Sequence, residues 1–237
     1  KKFRRLRSLS FRMTGTLAKR SGLVLMILLG VIAAFEVFMM IRLFNKPNWN
    51  DQRHIGYLSC YILLLTACIV CFPVMLFGWR NKASDSLVAW FIHIYALAIL
   101  IWATGISTFD MSGGGTPIVY LTVAVIVGGI IVTNPLFYLS CVAITATLLV
   151  IGDINNSAAY FGSSGAIINV VVFIVMAIIM AMKNFYIGTR EERYREMLLK
   201  HSRIDSLTGL GNETAYLEKR EELNKRATKG DAKYGVI

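Results

Sequence analysis

Acidic side chains are scarce: 14 Asp and Glu face 25 Lys and Arg, and charged residues make up only 16% of the 237. A soluble domain carries about 25% charge, so this chain lacks the polar surface of a globular protein in water. Cysteine is equally sparse, with Cys60, Cys68, Cys71 and Cys141 all inside apolar runs. Cys68-x-x-Cys71 has redox or metal spacing, but no His or second pair lies nearby, so these residues read as small apolar packers. No internal repeat is visible, which weighs against a transporter built from duplicated halves. No small-residue cleavage pattern follows Phe44, and the first apolar run is too long for a signal peptide, so it is expected to be a retained span. No acid occurs among the first twenty residues.

Grease and positive charge fill the space. Hydrophobic residues form 56% of the chain and fall in blocks near the twenty or so needed to cross a hydrocarbon core of about 30 Å. Six spans are expected, at roughly 21–44, 55–79, 86–108, 117–133, 135–151 and 166–187. The fourth and fifth are the shortest. The net charge of +11 does not indicate nucleic acid, because eight basic residues (Lys1, Lys2, Arg4, Arg5, Arg7, Arg12, Lys19 and Arg20) cluster against the first span. Such a cluster anchors on anionic lipid headgroups. Basic residues recur at Arg80 and Lys82 and after the sixth span, whereas the other loops hold few. The expected topology therefore has six spans with both termini cytoplasmic.

Four residues in the spans are candidates for sensing an unidentified small molecule or lipid. Glu36 lies near the middle of the first span, where an ionisable group is costly and is either functional or a hydrogen-bonded packing residue. His93 lies in the third span, and a lone His there is more often a satisfied interior residue. Trp102 and Asn169 are placed towards the outer side, where they can line a cavity. Gly128-Gly129 reads as close helix packing, and Trp49, Trp79 and Trp90 as interface aromatics. No metal site is visible.

Beyond Ile187 the chain turns polar without proline, a helix-forming composition. A seam at Ile187, Arg190, Tyr194, Met197, His201 and Ile204 follows 3,4 spacing, the pattern of a short coiled coil and hence of a homodimer. The alternative is a solvated helical linker. His201 as a phosphoacceptor would imply a sensor kinase, but no acidic-hydrophobic-basic run ending in proline follows it.

The helix is expected to stop and restart at Asp205-Ser-Leu207-Thr208-Gly209-Leu210-Gly211-Asn212, with Asn212 or Thr214 capping a helix over 215–227. A turn at 229–231 leads to a strand beginning Tyr234-Gly235-Val236-Ile237. Residues Asp205, Leu207, Thr208, Gly209, Leu210 and Asn212 resemble, in order, the opening of the GGDEF domain of diguanylate cyclases. That resemblance covers about 33 residues. It implies an α/β domain that condenses two GTP into cyclic di-GMP with Mg²⁺, acting as a dimer. It also implies that metal- and GTP-binding residues lie beyond Ile237, so no catalytic residue is expected here. A degenerate GGDEF domain that only reads nucleotide is the alternative. Glu213 stands where that family usually has Arg; Arg203, Lys219 and Arg220 are the cations available to replace it. The expected organisation is a basic segment over 1–20, a six-helix sensor over 21–187, a signalling helix over 188–204 and the start of the GGDEF domain over 205–237. The fold class is an all-α membrane protein leading into an α/β head.

Overall fold

A computed structural model describes residues 11, 13–45, 52–155, 160–162, 164–202 and 210–228. No strand occurs among the described residues. The helices are α1 (Gly22–Phe44), α2 (Gln52–Trp79), α3 (Asp85–Ser112), α4 (Ile118–Ile130), α5 (Pro135–Asn155), α6 (Ser164–Ser202) and α7 (Glu213–Thr228). A helical segment over 13–20 precedes α1. The chain divides into two compact units, Lys1–Thr189 and Arg190–Ile237. The strand expected at Tyr234, the Asp205–Gly209 turn, seam residue Ile204, Trp49 and the first ten basic-segment residues lie outside the described residues.

Five helices are long and apolar enough to cross a membrane, and exposed Leu, Ile, Val and Phe side chains cover their outer faces. This is the surface of a multi-pass membrane protein, since lipid, unlike water, imposes no cost on it. The fourth expected span differs. Helix α4 has 13 residues, about 20 Å, well short of the hydrocarbon thickness. It stops because Ile131 is extended (ψ 115°) and Asn134 precedes Pro135, which disfavours helical geometry there. The Asn134 side chain then accepts from the Leu136 N–H (3.0 Å) and caps α5.

Helix α3 is the centre of the first unit, with α2, α4 and α5 packed on it and α1 on α2. Its start is fixed by Ser84, whose hydroxyl accepts from the Leu87 N–H at 3.2 Å, and by Asp85 in the first turn, where a negative charge suits the helix dipole. It ends at a glycine turn in which Gly114 has φ +84°, a conformation that side-chain-bearing residues avoid. The α4–α5 pair returns to the end that α3 reached, because Gly152 packs against Thr108. Helix α6 then returns to the start of the bundle, where Gly188 rests on Leu17. The segment before α1 and the Gly188 end of α6 therefore lie together.

The segment over 13–20 is more than a headgroup anchor. Thr14, Leu17 and Ala18 are buried in the bundle, and Lys19 pairs with Asp85 at 2.6 Å. Gly15 lies so close to the Asp85 backbone that any side chain there would collide with it.

In the second unit, Asn212 caps α7 by accepting from the Ala215 N–H at 3.0 Å, which decides between the two expected caps. Lys219 pairs with Glu222 at 2.8 Å across one turn of the same helix.

Candidate functional site

Glu36 is fully buried, and neither of its carboxyl oxygens has a hydrogen bond. The indole of Trp102 on α3 lies within interaction range of this carboxyl, yet its Nε1 also lacks a bond of full geometry. Cys60, Tyr61, Cys68 and Tyr95 lie near enough for electrostatic interaction with Glu36. Helices α2 and α3 therefore place polar groups near the carboxyl that α1 carries. Close packing holds it: Gly105 leaves no room for a Cβ beside the Cys60 sulfur, and the Tyr95 hydroxyl meets the Cys68 sulfur at 3.8 Å. An unsatisfied buried polar group costs about 1–3 kcal/mol, so this carboxyl is retained at the expense of stability.

The other two sensor candidates lie elsewhere. The Nδ1 of His93 meets the Ala89 carbonyl at 2.6 Å, and its Nε2 accepts from the Asn134 N–H at 3.2 Å. This pattern requires the proton on Nδ1. Phe11 stacks on the ring and Phe137 meets it edge-on. His93 is thus a brace that satisfies the buried α4–α5 turn. Asn169 lies on the exposed face of α6, while the adjacent Val170 packs in the cluster that Trp102 joins.

A second group was not singled out from the sequence. At the Phe44 end of the bundle, Leu43, Arg53, His54, Tyr57, Asp110 and Thr116 are among the residues lining a cavity of ≈570 Å³. The Tyr57 hydroxyl donates to Asp110 Oδ1 at 2.6 Å. In sequence, Arg53 and Asp110 are merely loop charges flanking spans. Their convergence depends on α2 and α3 packing tightly where Gly56 faces the Phe109 ring.

The cysteines are free, and no cluster among the described residues could hold a metal ion. Comparison with known protein families, curated proteins and solved structures gives no match. The local chemistry therefore carries the functional reading. Of the Gly128-Gly129 pair expected to mark close packing, Gly128 does, since a Cβ there would lie 2.6 Å from the Ala177 carbonyl on α6, whereas Gly129 faces open space.

Of the stalk seam, Ile187 belongs to the first unit and is 41% exposed. Tyr194 and Met197, in the second, are both 49% exposed. Arg190 donates to the Tyr194 hydroxyl at 3.0 Å and lies over its ring, so two seam positions engage along one helix. The side chain of His201 lies outside the described residues. Of the motif residues, Leu210 is exposed and Asn212 forms the cap described above; Asp205, Leu207, Thr208 and Gly209 lie outside the described residues.

Proposed function

We propose that this chain is the membrane-embedded input region of a diguanylate cyclase. On this reading it passes the state of its helix bundle to a dimeric GGDEF head that condenses two GTP into cyclic di-GMP. The observation that carries the reading is α6, one helix of 39 residues. It contributes a membrane span and then a polar stalk, and it ends three residues before the Asp205 motif. A helix that crosses a membrane and continues into the cytoplasm can carry a small rotation or register shift to whatever follows. Its exposed Ile187, Tyr194 and Met197 are the apolar positions a second copy would cover. GTP is the substrate on this reading, and Mg²⁺ bound by the GGDEF head would neutralise the triphosphate.

Glu36 serves as the sensing group, because a mid-membrane ionisable residue without hydrogen bonds is poised to change partners. Both termini would face the cytoplasm of a bacterial inner membrane, following the basic residues. The test is to express the gene from which this chain is read and assay cyclic di-GMP from GTP and Mg²⁺, with Glu36→Gln alongside. The expected result is product formation by the parent and a changed yield in the variant at equal membrane insertion. GTP binding without turnover would replace this reading by a nucleotide-reading receptor. The absence of both would overturn it.

A further inference from the structure

We propose that the ≈570 Å³ cavity at the Phe44 end is a binding site for a small zwitterion carrying an acid group and a primary ammonium. The volume lies within the roughly 300–1,000 Å³ of small-molecule sites, and the lining is divided by charge. Arg53 supplies a guanidinium, suited to a carboxylate or phosphate. Asp110 supplies a carboxylate whose Oδ1 is held by the Tyr57 hydroxyl at 2.6 Å. A carboxylate has sites for about four donors, so one tyrosine fixes its orientation and leaves capacity for an ammonium.

Both charges act on the same Tyr57 hydroxyl, so they flank one point of the wall. Leu43, Phe109 and Ile118 add apolar surface to the lining. A guanidinium has five N–H donors and a carboxylate about four acceptor sites, so the two side chains can add an acid group and an ammonium to the partners they hold. The glycine turn keeps the space clear: a Cβ at Gly113 would lie 3.1 Å from Arg53 Nη1, and one at Gly115 2.9 Å from the Asp110 carbonyl oxygen.

This chemistry is available from two sources, a free amino acid or aminophosphate and the headgroup of an aminophospholipid. The cavity also connects inward. Tyr57 stacks on Tyr61 at 6.4 Å between ring centres, and Tyr61 interacts with Glu36. A link from binding to output rests on the cyclase reading; binding itself does not.

The test uses the 237-residue chain in phosphatidylglycerol nanodiscs, with thermal unfolding followed by dye labelling of its free cysteines. In one arm free phosphoethanolamine is added, with ethylamine and ethyl phosphate as single-charge controls. In the other, part of the lipid is replaced by phosphatidylethanolamine or phosphatidylcholine. The expected result is saturable stabilisation by phosphoethanolamine, or by phosphatidylethanolamine over phosphatidylcholine, and either identifies the source. Loss of one charge-assisted contact in Arg53→Gln or Asp110→Asn should weaken the response about ten-fold or more. Arg53 is exposed, so its variant decides the matter if Asp110→Asn fails to fold. No stabilisation in either arm, equal stabilisation by a single-charge control, or an unchanged response in Arg53→Gln would overturn the proposal. None of these readouts involves cyclic di-GMP, so a failed cyclase reading and a failed binding site remain distinguishable.

Discussion

Replacing Glu36 by Leu should make the protein more stable. The carboxyl is fully buried and neither oxygen has a hydrogen bond of full geometry, so the substitution gives up only the loose approach of the Trp102 indole. Leu is close to Glu in volume, favours helix as strongly, and suits the apolar interior of α1. What is removed is the cost of an unsatisfied polar group, about 1–3 kcal/mol. For a unit of this size each kcal/mol shifts a melting midpoint by about 2–4 °C, so the expected rise is about 2–12 °C. The protein carries its own reporter. Cys68, Cys71 and Cys141 are buried and free, and a thiol-reactive fluorophore labels them only as the bundle opens. Melts of parent and Glu36→Leu in one detergent give the shift directly. A drop in midpoint, or none, would refute the reasoning, because it would mean that the carboxyl has a stabilising partner in the membrane.

Two further experiments test the packing. His93→Phe keeps an aromatic ring between Phe11 and Phe137 but leaves the Asn134 N–H without its 3.2 Å acceptor; the expected cost is about 1–3 kcal/mol in the same cysteine-labelling melt. For the Lys19–Asp85 pair, whose side chains are 14% and 34% exposed, a double-mutant cycle with Lys19→Met and Asp85→Asn should give a coupling of about 1 kcal/mol. A coupling near zero would mean that the 13–20 segment docks through its apolar residues alone.

The membrane character, the positions of five spans and the polar continuation of α6 were legible because hydropathy acts locally and the spans are long. The length of α4 was not. Its apolar run continues past Ile130 through Ile131 and Val132, and only the extended backbone ahead of Asn134-Pro135 ends the helix. Glu36 and Trp102 were both singled out from the sequence, one as a mid-span charge and the other as a cavity-lining aromatic. Their meeting is a tertiary fact. His93 revealed nothing of its partner, because an acceptor for a backbone N–H 41 residues away leaves no trace in spacing. Asn169 was drawn towards the interior by its polarity, yet the pitch of α6 turns it outward. The Phe44-end cavity escaped notice for a related reason: Arg53 and Asp110 were read for topology, a role that charges at span ends fill so often that it hides a second one.

The docking of residues 13–20 has a consequence for biogenesis. Thr16 bonds to a residue 69 positions downstream, and Leu17 rests on Gly188, more than twice as far along. At about 5–20 residues per second, a ribosome takes roughly ten to thirty seconds to travel from one to the other. Residues 13–20 can therefore meet Asp85 early but complete their seat only when Gly188 has been made, and until then the nascent bundle stands open on that side.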